Sequence, residues 1–324
     1  MSQPAPLLQI RDLVVSFKKG RQTVQAVSGI SFDVFEGETL GIVGESGCGK
    51  STTGRAIIQI EKPTSGSVMF DDTELTALPR SALRRARTGI QMIFQDPISS
   101  LNPRRRIKDI VAEPLDIWNT ETGDERLKTV RQMLSDVGLD PAITEDRFPR
   151  QFSGGQCQRI SIARALVMRP KLLICDEMVS SLDVSVQAQI LNLLEDLKAR
   201  YNLTVVFIAH DLAVVKNVSD RVAVMYLGKL CEIAPSDALY RNPAHPYTEA
   251  LLSAALEPDP DAPNARITLT GEPPSPIDPP SGCRFRTRCP RAAEQCATEE
   301  PLMHEVSPGH SVACHFPLVR SSTT

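Results

Sequence analysis

Gly44-Glu45-Ser46-Gly47-Cys48-Gly49-Lys50-Ser51, followed by Thr52, is the stretch that decides the reading of this chain. It fits the P-loop pattern G-x-x-x-x-G-K-[ST]. A short apolar run (Leu40, Ile42, Val43) precedes it, and a helix is predicted from Lys50 to Ile60. Strand, glycine-rich loop and helix in that order are the context the motif requires. The glycines let the backbone curl until successive N–H groups point at the β- and γ-phosphates of a nucleoside triphosphate, and the helix N-terminus adds partial positive charge. In that arrangement Lys50 bridges the two phosphates and Ser51 offers its hydroxyl to Mg²⁺.

The 324 residues around this loop can hold one large domain and a smaller one. A formal net charge of −3 gives no general attraction to nucleic acid. The longest apolar stretch, Leu203 to Ala209, falls far short of the ~20 residues that span a bilayer. The N-terminus lacks the basic-then-apolar pattern of a signal peptide. The expectation is a soluble, cytoplasmic chain that meets a membrane only through partners. Four of the eight cysteines (Cys48, Cys157, Cys175, Cys231) are scattered, whereas Cys283, Cys289, Cys296 and Cys314 crowd into the tail. In a reducing compartment such a cluster points to a metal or cluster site before disulfides.

Leu7 to Val34 alternates and reads as strands, with a further strand at Ser67 to Phe70. Arg80 to Arg87 reads as a basic helix and Ile90 to Phe94 as a strand. Helices are predicted near Ile107 to Glu113 and Asp124 to Val137. Helix (Gln156 to Met168), strand (Leu172 to Cys175), helix (Val184 to Ala199) and strand (Leu203 to Ile208) then alternate, the pattern of a parallel α/β sheet. Ten of the 25 prolines lie between Pro243 and Pro280, which predicts an irregular linker and a small appended domain.

Asp176-Glu177 ends an apolar strand, where neighbouring side chains face opposite ways. One carboxylate can serve Mg²⁺ and the other can act as general base toward water. Phe152-Ser153-Gly154-Gly155-Gln156 opens a helix and offers a second anion site of N–H groups at a positive helix end. This stretch resembles the signature motif of the ABC-type ATPases, and the rest of the chain agrees. Gln95 matches the Q-loop, Ser181-Leu182-Asp183 the D-loop, and His210 the switch histidine. Phe17 sits where the family places an aromatic under adenine, although core packing is its plainer reading.

The resemblance implies an α/β P-loop NTPase with a β-subdomain and a helical subdomain (about 96–165) within residues 1–240. Residues 241–324 would form a small irregular, cysteine-rich extension. It implies two ATPase domains meeting head to tail, each ATP held between one Walker A loop and the partner's Ser-Gly-Gly motif. By residue, Gly44 to Thr52 bind nucleotide, Ser51, Gln95 and Asp176 serve Mg²⁺, and Glu177 polarises the attacking water. His210 contacts the γ-phosphate, Ser153, Gly154, Gly155 and Gln156 complete the partner's site, and Asp183 couples the two. Two departures stand out: Met178-Val179 where Pro-Thr is common, and Cys157 after the signature. Both are expected to matter little. The basic stretches Arg80 to Arg87 and Arg104 to Arg106 read as solvated faces, with permease or lipid head groups as the alternative.

Three further stretches resemble the peptide/nickel importer ATPases: Ser99-Ser100-Leu101-Asn102-Pro103-Arg104, Asn242-Pro243-Ala244-His245-Pro246-Tyr247-Thr248 and Gly271-Glu272-Pro273-Pro274-Ser275-Pro276. That family implies a second, often paralogous ATPase subunit, two membrane permeases, an extracytoplasmic peptide-binding protein, and a peripheral place on the cytoplasmic face of the membrane. Nickel, glutathione or another small solute are alternative cargoes. A soluble ABC ATPase acting on DNA or ribosomes is the competing class, and the compact span from Gln95 to Ser153 argues against it. The tail spacing C-x₅-C-x₆-C-x₁₇-C is a poor match to zinc knuckles. Four thiolates can hold a [4Fe–4S] cluster, and some members of the family carry one here. Zn²⁺ and metal-free thiols remain open, and His304, His310 and His315 read as incidental.

Overall fold

The computed structural model describes residues 5–255, 269 and 271–318. The Pro-rich stretch therefore lies partly outside the described residues. The chain divides into two compact units, 1–77 with 207–324, and 78–206. Along the chain the first unit opens with β1 (Pro6–Lys19), β2 (Gln22–Phe35), β3 (Thr39–Val43), α1 (Lys50–Ile57), β4 (Ser65–Phe70) and β5 (Thr73–Glu74). The second holds α2 (Arg80–Ala86), β6 (Ile90–Ile93), α3 (Ile107–Trp118), α4 (Gly123–Asp136), α5 (Pro141–Thr144), α6 (Gly154–Leu166), β7 (Leu172–Asp176) and α7 (Val184–Tyr201). Strand β8 (Thr204–Ile208) carries the chain back to the first unit. There follow α8 (Leu212–Val218), β9 (Arg221–Tyr226), β10 (Lys229–Pro235), α9 (Ser236–Arg241), α10 (Pro246–Ala255), α11 (Gln295–Thr298), β11 (His304–Ser307) and β12 (His310–Val312).

In the first unit β1, β2, β4 and β5 form an antiparallel sheet in the order β2-β1-β4-β5. A second set runs β11-β12-β10-β9-β3. The expected parallel pairing holds for β3 with β9, and in the second unit for β6 with β7. Beyond β9 the pairing turns antiparallel. The cause is a two-residue hairpin turn, Leu227-Gly228, with φ of 44° and 80°. Two positive φ values suit the right-handed twist of the flanking strands. The sheet is thus mixed, not purely parallel. Strand β3 is buried along its whole length, as a strand covered on both faces must be.

Helix α1 ends at Ile57, short of the expected Ile60, where Gln59 turns to φ 58°, and two further segments differ from the sequence reading. Helix α3 runs through Pro114 to Trp118, past the expected end at Glu113. Val111 and Leu115 are buried on either side of the proline, so packing outweighs the lost backbone bond. After Arg241 the chain is not merely irregular: α10 begins at Pro246, the first-turn position where proline costs no hydrogen bond. The β11–β12 hairpin then adds to β10, pairing Glu232 with Val312.

Candidate nucleotide site

In the first unit, β3 ends at Val43 and the loop 44–49 leads into α1. Gly49 takes the N-cap position at φ 106°, and a Cβ there would lie 2.2 Å from the Ala26 carbonyl oxygen. Only glycine fits, both for its left-handed backbone and for that approach. Lys50 is buried, and its Nζ donates to the carbonyls of Gly44 (2.8 Å) and Glu45 (3.1 Å). Gly44, Cys48 and Gly49 are buried, Ser46 and Gly47 exposed, and Ser51 and Thr52 half-buried. Burial pushes the Cys48 thiol up, against the pull of Lys50, so it is a packed thiol and not a nucleophile. His210 is exposed just past β8, and Asp211 caps α8 by accepting from Ala213 N–H at 2.8 Å.

Phe17 lies on β1 opposite Val24 and is 37% exposed. It is therefore not a core residue, and a ring face there is available to a flat ligand.

The second unit brings Gln95 and Glu177 together: Gln95 Nε2 donates to Glu177 Oε2 at 2.9 Å. Asp176 ends β7 and is buried, so a hard oxygen donor sits at the strand terminus. Glu177 leaves the strand with φ 48°. Its direction is thus set by a left-handed turn, not by the strand alternation that the sequence suggested. Ser180 Oγ donates to the Glu177 carbonyl at 2.8 Å and fastens this turn. Met178 and Val179 are both buried, which explains why apolar residues serve there.

Ser153 is the N-cap of α6 in a capping box: Gln156 N–H donates to Ser153 Oγ (3.3 Å) and Ser153 N–H to Gln156 Oε1 (3.0 Å). A Cβ on Gly155 would come within 2.6 Å of a Val186 methyl on α7. Cys157 is buried and accounts for its own presence as a small apolar side chain. Asp183 is the exposed N-cap of α7, and the next residue, Val184, is 82% exposed. The basic stretches are partly tied down within the unit. Arg105 pairs with Glu113 at 2.6 Å, Arg106 with Asp146 at 2.6 Å, and Arg84 stacks over Trp118.

Residues 27–180 match the ABC transporter family, and residues 231–296 match the oligopeptide/dipeptide transporter C-terminal region. The oligopeptide transport ATP-binding protein OppF of Salmonella typhimurium is 52% identical, over 97% of this chain and 97% of its own length. That of Escherichia coli is also 52% identical, over 95% of each. This chain is an ABC transporter ATPase of the oligopeptide/dipeptide transporter family. A dimeric, post-hydrolysis structure of the ATP-binding cassette MJ0796 bound to ADP and Pi superposes with a TM-score of 0.65 at 29% identity. It covers 71% of this chain and 98% of its own. ATP hydrolysis is the activity that goes with this fold and family. No helix among the described residues is long and apolar enough to cross a membrane.

What sequence reasoning missed in this ABC ATPase lies in the extension. Arg288 Nη1 donates to both carboxylate oxygens of Glu45 (3.0 and 2.8 Å), and Glu45 N–H donates to the Tyr247 hydroxyl at 3.0 Å. Buried Glu232 accepts from Ala244 N–H (2.7 Å) and His245 N–H (2.9 Å), and lies 2.6 Å from His310 Nε2. Burial lowers the His245 pKa to about 4, against a smaller upward pull from Glu232. The ring is therefore neutral at pH 7, and its Nδ1 accepts from Tyr247 N–H at 3.0 Å. The only advance signal was the stretch 242–248; Arg288 had none. His310, read as incidental, is buried against Glu232 instead.

Cys283, Cys289, Cys296 and Cys314 line one tight cavity with Phe285, Arg286 and Arg291. Burial raises the Cys314 thiol to about 11, and the neighbouring Cys283, Cys289 and Cys296 add to it. Cys283 is raised in the same way, with Cys296 and Cys289 contributing. Among the described residues, however, no three His, Cys, Asp or Glu side chains form a group that could hold a metal ion.

Proposed function

We propose that this chain is the ATP-hydrolysing subunit of an importer for oligopeptides or dipeptides, working with separate membrane permeases. The observation that carries the reading is its likeness to oligopeptide transport ATP-binding proteins along nearly the whole chain, through the extension as well as the ATPase part. The domain assignment follows: 1–240 for the ATPase, with its helical subdomain about 96–165, and 241–324 for the extension.

Gly44 to Thr52 bind the nucleotide, Lys50 on the β- and γ-phosphates, and Phe17 packs against the base. Ser51, Gln95 and Asp176 supply oxygen donors for Mg²⁺, whose charge offsets that of the phosphates. Glu177 orients and deprotonates the attacking water, an effect typically worth about 10²–10⁴ in rate. Its bond to Gln95 gives it a partner that can report the state of the site. His210 contacts the γ-phosphate. Ser153 to Gln156 complete the site of a second ATPase subunit, a paralogue, and Asp183 couples the two. The capping box leaves the Gly154 and Gly155 amides as the donors of that motif.

The partners are two permeases and an extracytoplasmic peptide-binding protein, and the chain sits peripherally on the cytoplasmic face of the membrane. We propose a [4Fe–4S] cluster for the four tail cysteines, because four thiolates can hold one and their spacing is a poor match to zinc knuckles. Such a cluster would staple the extension.

Anaerobic purification of the Glu177→Gln chain from its native membranes with ATP and Mg²⁺ tests these assignments. Two permeases, a second ATPase and about four irons per chain are expected. A chain recovered with nucleic acid or ribosomes and no permease would overturn the transport reading. Iron absent from an otherwise complete complex would remove the cluster alone.

A further inference from the structure

Glu45 places a carboxylate on the very loop that receives a polyphosphate, and like charges at close range oppose one another. The extension answers this charge. Arg288 spans both Glu45 oxygens from 243 residues away, and Tyr247 takes the Glu45 N–H. The Glu45 carbonyl in turn accepts from Lys50 Nζ and from Cys48 N–H (3.2 Å). One residue of the P-loop is thus tied at its side chain, its amide and its carbonyl.

Arg288 is itself built into the fold. It is 9% exposed, and its guanidinium lies over the Tyr226 ring, 5.8 Å from the centroid. Tyr226 packs edge-on against Tyr247 and Phe285 at 4.7 and 5.3 Å. Burial by itself would favour loss of the arginine proton, but the bonds to Glu45 and Tyr226 outweigh it and hold the charge. The buried Nε has no hydrogen-bond partner among the described residues. A side chain present only to fill space would not carry that cost.

Resting on the assignment of Gly44 to Thr52 as the nucleotide site, we propose that Arg288 is a positioning residue of that site. It neutralises and holds Glu45, so that the loop meets the phosphates without an opposing carboxylate. A mere stitch between extension and loop would behave differently: cutting it would lower stability and leave ATP affinity unchanged.

The test is ATP binding to the purified full-length chain, with melting temperatures in parallel. The variants are Arg288→Ala, Arg288→Ala combined with Glu45→Gln, and Lys50→Ala as control. Arg288→Ala is expected to raise the Kd for ATP about tenfold, equivalent to about 1.4 kcal/mol. Adding Glu45→Gln removes the exposed charge and returns most of that loss. Wild-type affinity in Arg288→Ala, or a double variant as weak as the single one, overturns the proposal. Unchanged affinity in Lys50→Ala overturns instead the P-loop assignment beneath it. If Arg288→Ala does not fold, Arg288→Gln, which keeps a donor and most of the bulk, carries the same two outcomes.

Discussion

The chain opens two helices with glycine-rich turns, α1 at Lys50 and α6 at Gly154, and it fastens them in opposite ways. The start of α6 is held locally. Ser153 and Gln156, three residues apart, satisfy each other's backbone, and a helix two elements later needs only the missing side chain of Gly155. The start of α1 has no side-chain cap, and its loop is held by Lys50 from within and, at Glu45, by Tyr247 and Arg288, more than 200 residues downstream. A local lock can be read from a motif and broken by a neighbour. A distant one depends on the extension being folded, which makes the P-loop answerable to a segment far along the chain.

Breaking the distant lock should therefore have the largest effect. Glu232→Ala removes the carboxylate that seats the start of α10 and lies against His310, and leaving these buried groups without a partner costs about 1–3 kcal/mol each. Denaturant unfolding should show that loss, accompanied by weaker ATP binding. A change under 1 kcal/mol would place the lock elsewhere.

A proton can loosen the same lock. Because His245 is held neutral with a folded pKa of about 4, its contribution is complete above its ordinary value near 6.5. Between pH 6.5 and 4 the unfolded chain binds a proton that the folded chain refuses, so stability falls as pH falls, by up to about 3 kcal/mol. Stability measured at pH 7.5 and 5 should show a drop that His245→Asn abolishes. An equal drop in both proteins would assign the pH dependence to other groups.

The local lock is tested by Gly155→Ala, whose methyl meets Val186 and should cost about 1–3 kcal/mol by overpacking. Adding Val186→Ala should return most of it. Smallest is Ser153→Ala, about 1 kcal/mol for a lost cap, read as a shift in thermal midpoint with ATP affinity of the isolated chain unchanged. A tenfold loss of that affinity would mean that the α6 start serves its own chain's nucleotide.

The same contrast decides how much could be read in advance. The P-loop strand, its helix, the Asp-Glu strand end and the Ser-Gly-Gly helix all lie where their motifs put them, because each depends on residues a few positions apart. The pairing of Gln95 with Glu177 bridges 82 residues and was named only as two separate motifs. The prolines after Arg241 pointed to irregular chain, yet Pro246 starts a helix and the β11–β12 hairpin extends a sheet. Periodicity could not show either, since the hairpin strands are four and three residues long and one of them is exposed throughout. Arg288 is one arginine among many until the fold lays it on Glu45.

The central claim is that this chain hydrolyses ATP with Glu177 as its base. The most direct measurement is single-site ATP turnover and ATP affinity of Glu177→Gln beside wild type, in the assembled complex. The account predicts affinity retained within a few-fold and turnover reduced by about 10²–10⁴. Turnover near wild type with ATP bound normally would contradict it.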